Sequence, residues 1–280
     1  MFARKHSFDL VCLGVFMSVI LGGCATQTHT DKKPLGIGTY PADQCLSCEA
    51  IMPRSVPVTY LILHHTAAPL PSALEILRGK DPQHKVGIHY LVSDEAIPRV
   101  FKLASEEFST SHAGKSQWLN IKSMNQASIG IEIVNLDGNT KMYPKAQITK
   151  VINVSLDIIK RHNIPATNVL AHSDIAIGRK VDPGSNFPWK LLAESGVGAW
   201  PDDADVARFK TLYAKNIPRN SELYSMFQTY GYRPENSEAK TIKLTVEAFQ
   251  RHFRTSKVNG EADAETVAIL AALNFKYRKK

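Results

Sequence analysis

Three kinds of feature are scarce in this chain of 280 residues, and each scarcity closes a door. There are only four cysteines, and just one C-x-x-C pair, Cys45 and Cys48. A zinc ribbon needs a second pair, and the strand-to-helix setting of a redox pair is missing here. A local disulfide in an oxidising compartment and two free thiols both remain open for Cys45 and Cys48. The apolar segment Leu10–Leu21 is too short for a comfortable membrane span. Although the formal charge is +8, the lysines and arginines are dispersed, with no basic run interleaved with aromatics. That argues against nucleic acid as a partner and leaves anionic lipid or an acidic polymer. A local ligand signature such as H-E-x-x-H is also missing. What is present, 44% hydrophobic and 21% charged residues, is the composition of an ordinary globular protein, long enough for one large domain or for a medium one plus a small one.

The N-terminus is more specific. Arg4 and Lys5 precede the short apolar segment, which ends in Leu21-Gly22-Gly23-Cys24. A charged start, a short apolar core and small residues before a cysteine resemble a bacterial lipobox. The alternative is an ordinary secretory signal that happens to contain Cys24. In the lipobox reading residues 1–23 are a signal peptide removed together with Cys12, and Cys24 carries the lipid that anchors the protein to a membrane. An Asp after that cysteine tends to retain such lipoproteins at the inner membrane; Ala25 here points to the outer membrane, facing the periplasm. The polar stretch that follows reads as a tether, over 24–47.

Pro53 and Pro57 keep the next stretch extended. Val58–Leu63 is predicted as a buried strand, Ser72–Arg78 as a short helix, and Gly87–Ser93 and Val100–Leu103 as further strands. Ser128–Asn135 (S-I-G-I-E-I-V-N) is the clearest strand in the protein. A helix is predicted from Pro144 to His162, with Ile148, Val151, Ile152, Ile158 and Ile159 on one face and basic residues in its last turn. Val169–Ala171 gives one more short strand. Strands interleaved with helices argue for an α/β domain around a central sheet, over about 48–202. Beyond it only helical spacing is left, at Ala204–Ala214, Glu222–Tyr230, Thr241–Phe253 and Ala264–Leu273. This is a small all-α domain, 203–280, too small to be comfortable alone.

Candidate chemistry lies near the predicted strand ends. Zinc hydrolases use three protein ligands and leave a fourth position open. His64 or His65, His89, His172 and Asp182 are available, and strand alternation lets only one of His64 and His65 join a given cluster. Spacing alone does not choose among them. Glu132, amid Ile129, Ile131, Ile133 and Val134, either lines a cleft as a general acid or base, or forms a structural ion pair, or lies on an edge strand facing solvent. Lys180, two residues before Asp182, either steadies a developing oxyanion or is a solvated loop lysine. His112, on a Gly-containing loop, either touches substrate or caps the loop.

The pieces are no longer independent once their order is considered. L-I-L-H-H-T-A (Leu61–Ala67), H-Y-L-V (His89–Val92), S-H-A-G (Ser111–Gly114) and S-I-G-I-E (Ser128–Glu132) come first. A-H-S-D-I-A (Ala171–Ala176), R-K-V-D-P-G (Arg179–Gly184) and F-P-W (Phe187–Trp189) follow. The ordered set, over about Val58–Trp200, resembles the zinc-dependent N-acetylmuramoyl-L-alanine amidases related to phage T7 lysozyme and the peptidoglycan recognition proteins, and among them a lipoprotein branch. The resemblance implies a mixed central sheet flanked by helices and a Zn2+ cofactor held by His64, His172 and Asp182. It also implies Glu132 as general base and Lys180 as the residue that steadies the tetrahedral intermediate. His65 would pack or support, and His89 would belong to the scaffold or cleft wall, grouped with His112 as a substrate contact. Y-G-Y (Tyr230–Tyr232), V-E-A-F-Q-R-H-F (Val246–Phe253) and N-G-E-A-D-A-E-T (Asn259–Thr266) resemble a three-helix peptidoglycan-binding module, with the second glycine region of its usual turn replaced by Ala262-Asp263. The implied activity is cleavage of the lactoyl–L-alanine amide in peptidoglycan or (anhydro-)muropeptides. A peptidoglycan binder without catalysis is the competing expectation, and a structural wall tether is a third.

Overall fold

The computed structural model describes residues 37–38, 50–78 and 85–278. The signal segment, Cys24 and the Cys45–Cys48 pair lie outside the described residues. In chain order the elements are β1 (Ile37–Gly38), β2 (Ile51–Pro53), β3 (Tyr60–His65), α1 (Leu70–Leu77), β4 (Tyr90–Val92), β5 (Val100–Lys102), β6 (Phe108–Thr110), α2 (Met124–Ala127) and β7 (Ser128–Ile133). Then come α3 (Lys145–His162), β8 (Val169–Ala171), α4 (His172–Ile175), α5 (Trp189–Glu194), α6 (Asp203–Tyr213), α7 (Asn220–Tyr230), α8 (Ala239–Phe253) and α9 (Ala264–Tyr277). Six strands form one sheet in the order β1-β5-β4-β7-β3-β8, while β2 and β6 pair separately. The sheet is mixed, as expected: β4 and β5 run antiparallel and the other neighbours are parallel.

The central strands β3 and β7 read as nearly continuous apolar runs because both of their faces are covered. On one face Leu61, Leu63, Ile129, Ile131 and Val169 pack with Ile148, Val151, Val154 and Ile158 of α3. On the other, Tyr60, Ile62 and Leu170 share a core with Trp118 and with Phe227, Val246 and Phe249 of the C-terminal helices. Helix α3 stops where Asn163 turns into the left-handed region (φ 52°) and donates its N–H to Ile159 O, after a last turn of Lys160, Arg161 and His162 that opposes the helix dipole.

The expected strand over Gly87–Ser93 shortens to Tyr90–Val92. Its ladder with β7 begins at Tyr90 and Ile131, because the N–H of Gly130 is taken one residue earlier by the ring Nδ1 of His89 (3.1 Å). The short strands β1, β2 and β6 have too few residues to show an alternation. Of these, β1 falls within the stretch read as a tether and pairs with β5 at Val100 and Phe101.

Candidate metal centre and active site

Strand register assembles the site. His64 on β3 is directly opposite Glu132 on β7, and Leu63 is opposite Ala171 on β8, so His172 comes next at the same end of the sheet. Parallel strands thus deliver an imidazole, a carboxylate and a second imidazole at their C-terminal ends, where open α/β sheets bind ligands. Alternation sends His65 to the opposite face.

The loop after α4 brings the fourth group. Ser173 N–H bonds to Asp182 O (3.0 Å), and Tyr143 OH donates to Pro183 O (2.6 Å), folding the chain back over the strand ends. The seat of this loop is backbone against backbone. A Cβ at Gly138 would lie 1.8 Å from Pro183 O, and one at Gly184, which has φ +90°, would lie 2.3 Å from Gly138 C. Only hydrogens fit there.

His64 Nδ1 lies 2.9 Å from His172 Nδ1 and 3.2 Å from Asp182 Oδ2, and His172 Nδ1 lies 3.0 Å from the same oxygen. All three side chains are buried. Their outer nitrogens are already committed. His172 Nε2 faces Ala113 O at 3.1 Å, and a carbonyl only accepts, so the ring proton sits on Nε2. His64 Nε2 is 2.9 Å from His112 Nδ1, His112 Nε2 is 3.1 Å from Ser128 Oγ, and Ser128 donates to Met124 O (2.6 Å). Reading donors back from that last carbonyl gives one consistent chain, with protons on Ser128 Oγ, His112 Nε2 and His64 Nε2. Both Nδ1 lone pairs and a carboxylate oxygen then converge on one point. Three acceptors facing each other are stable only around a cation. Their separations approach the edge of about 3.3–3.5 Å expected for ligands at zinc–nitrogen and zinc–oxygen bond lengths. The donor set fits a metal ion with nitrogen and oxygen ligands.

The electrostatics agree. Burial and the neighbouring His172 hold the His64 imidazole down at about 4, keeping it neutral as a ligand must be. Burial works to raise the Asp182 carboxyl, but the adjoining His172 and His64 imidazoles overcome it and keep the group well below the usual carboxylate range. Glu132 goes the other way. Burial, reinforced by Asp182, pushes it well above the usual range, against the pull of Lys180. Its Oε2 is enclosed and has no hydrogen-bond partner among the described residues. Lys180 is exposed, and its charge reaches both Glu132 and His64.

The two histidines expected as substrate contacts, His112 and His89, are both buried, and their ring nitrogens meet protein groups, which for His89 is the scaffold position that was its other expectation. His112 stands behind His64 in the chain just described. His89 accepts from Gly130 N–H and lies 3.0 Å from Phe108 O and 3.2 Å from Thr110 Oγ1. The space for His112 comes from Gly130, where a Cβ would lie 2.7 Å from His112 Nδ1. Sequence reasoning missed Arg54, whose guanidinium binds the carbonyls of Glu106, Gln126, Phe108 and Ser128 and so ties the loop under His112 together. It also missed Ser128 and Asp174. Asp174 sits in the A-H-S-D motif, where a carboxylate two residues from His172 was the available signal.

The family described as N-acetylmuramoyl-L-alanine amidase matches residues 54–185. The amidase AmiD of Escherichia coli is 36% identical over 278 residues, spanning 94% of this chain and 96% of that protein. The chain belongs to the N-acetylmuramoyl-L-alanine amidase family, hydrolases of an amide bond. Among solved structures, AmpDh3 from Pseudomonas aeruginosa matches with a TM-score of 0.75 at 36% identity, over 79% of this chain and 93% of that one. E. coli AmiD in complex with anhydro-N-acetylmuramic acid-L-Ala-D-gamma-Glu-L-Lys matches with a TM-score of 0.73 at 37% identity, over 81% and 93%.

Proposed function

We propose that this amidase is zinc-dependent and hydrolyses the bond between the lactoyl carbonyl of (anhydro-)N-acetylmuramic acid and L-alanine of the stem peptide. The observation that carries the reading is the pair of lone-pair-bearing imidazoles and a depressed carboxylate around one point, with the Glu132 carboxyl, its Oε2 unpartnered among the described residues, on the neighbouring strand. His64, His172 and Asp182 would hold the ion. Zinc bound by such a trio supplies Lewis-acid polarisation of a carbonyl and acidifies a water to a near-neutral pKa. Glu132 takes the proton from the attacking water and returns it to the departing alanine nitrogen; a carboxyl raised by burial suits both halves of that task. Lys180 meets the negative charge that develops on the lactoyl oxygen. His112, with Ser128 behind it, keeps the proton of His64 on Nε2, and Ala113 O does the same for His172.

The solved AmiD and AmpDh3 complexes contain anhydromuramyl peptides, which supports the same ligand class here. The basic balance, +8, suits the carboxylates of such peptides. We further propose, from the Leu21–Cys24 motif, that a lipid on Cys24 anchors the enzyme to the outer membrane facing the periplasm. The C-terminal helices, by their resemblance to a peptidoglycan-binding module, would assist wall contact.

The test is digestion of defined muropeptides by wild type and Glu132→Ala in parallel, read by mass spectrometry. Wild type should release free stem peptide in a chelator-sensitive manner. Glu132→Ala should fall by about 10²–10⁴-fold while still binding zinc. Release that ignores chelators, or an undiminished Glu132→Ala, would refute the reading.

A further inference from the structure

Helix α4 is a single turn, His172–Ile175, and a single turn has no stability of its own. Something outside it must fix the direction of His172. The structure offers Asp174, on the same turn and fully buried. Its Oδ2 accepts the Ala171 N–H at 2.8 Å, which pins the step from β8 into α4. The other two donors to this carboxylate come from the C-terminal helical region. Tyr232 OH meets Oδ1 at 2.6 Å, and His252 Nδ1 meets Oδ2 at 2.6 Å.

Both donors are themselves immobilised. The His252 ring is clamped between Trp189 (centroids 3.8 Å apart, 24° between planes) and Phe253 (3.9 Å, 2°). Tyr232 packs against Trp118 at 4.8 Å and Phe249 at 5.9 Å. Trp118 lies on the loop whose Ala113 carbonyl receives His172 Nε2, and that loop is tied again to the helices by Leu119 N–H to Gly231 O (2.8 Å). The two restraints on His172, the Asp174 carboxylate beneath its turn and the Ala113 carbonyl at its ring, are thus both braced by residues after 220.

We infer that Tyr232 and His252 are positioning residues for the metal centre, acting on His172 through Asp174. The C-terminal helices therefore complete the catalytic site in addition to any wall contact. The inference builds on the reading of His64, His172 and Asp182 as metal ligands, and it predicts that metal affinity depends on hydrogen-bond donors remote from the metal.

Two substitutions at one residue separate positioning from packing. His252→Phe keeps the stacked ring and loses the donor to Asp174. His252→Asn loses the ring and keeps a nitrogen donor where Nδ1 stood. Tyr232→Phe removes only the hydroxyl. Zinc affinity of the full chain is measured by chelator competition, and the coordination geometry by the visible absorption of the cobalt-loaded protein; thermal unfolding is followed alongside.

Affinity should fall about 10–100-fold in His252→Phe and Tyr232→Phe, with an altered cobalt spectrum. His252→Asn should retain more affinity than His252→Phe in spite of a lower Tm. Leu270→Ala, in the buried face of α9, controls for general destabilisation and should lower Tm with zinc affinity intact. If His252→Phe and Tyr232→Phe bind zinc as wild type does, or if affinity merely tracks Tm through all four variants, the inference is overturned. A wild type that binds no zinc would overturn the ligand reading beneath it as well.

Discussion

Gly138→Ala puts the assembly of the proposed metal centre to a quantitative test at a residue outside the ligand set. The added Cβ would sit 1.8 Å from Pro183 O and 2.6 Å from the Tyr143 hydroxyl. Real Cβ contacts do not fall below 3.0 Å, so the two backbones must separate by about 1.2 Å (3.0 minus 1.8). Neither partner is a flexible side-chain end, and the Tyr143–Pro183 hydrogen bond of 2.6 Å is lost in the process. Pro183 follows Asp182 directly, so the displacement passes to Asp182, the proposed third ligand. Metal-ligand distances tolerate only about 0.2 Å, roughly a sixth of that movement.

The expected result is a loss of zinc affinity of at least about 10–100-fold, the range seen for misplaced supporting groups. Overpacking should also lower stability by about 1–3 kcal/mol, or roughly 2–12 °C in Tm for a domain of this size. Gly196→Ala is the matched control: φ +89° makes it strained, but its nearest neighbour is Leu156 at 3.5 Å, far from the site. It should lower Tm and leave zinc binding alone. Titration of both apo-proteins with zinc in a competing chelator decides the matter. A Gly138→Ala protein with wild-type affinity would refute the argument that this backbone contact seats Asp182.

Two further predictions concern other parts of the molecule. Glu106 accepts from Tyr90 OH, Arg161 and His162, and although burial works upward, these hydrogen bonds hold its carboxyl down at about 2 against an unfolded value of 4.5. A depressed folded value stabilises above pH 4.5 and loses that contribution as pH falls through 2, so Glu106→Gln should cost about 1–2 kcal/mol at pH 7 after solvent screening. In urea unfolding the deficit should shrink below pH 4.5 and close near pH 2, and a deficit constant over that range would contradict it. Cys24→Ala should move the protein from the membrane fraction to the soluble periplasmic fraction and abolish incorporation of labelled fatty acid; unchanged membrane association would exclude the lipid anchor.

The strand order of this sheet and the identity of the clustered residues differ in how they can be read. Runs such as Ser128–Asn135 announce a buried strand by composition, and the α3 stripe announces a helix by period. The meeting of His64 with Glu132 is a matter of register, which no local pattern encodes; only the ordered motifs, carried together, pointed to it. His112 and His89 show the limit. A histidine on a polar loop turns inward as readily as outward, and the deciding facts, a glycine at 130 and acceptors at Ser128 and Phe108, belong to other segments. Asp174 stands beside His172 in its motif, but its meeting with Tyr232 and His252 is illegible for the same reason: only folding brings these distant segments to hydrogen-bond distance.

The shared rung of His64 and Glu132 has a consequence for how such an enzyme can diversify. Neighbouring strands stand about 4.8 Å apart whatever loops connect them. The interval between His64 and Glu132 is therefore inherited from main-chain hydrogen bonding. The connection after β3 can change in length or sequence while that interval stays constant. The connection after β7 has less freedom, because it carries Gly138 and Tyr143, on which the Asp182–Pro183 backbone is seated.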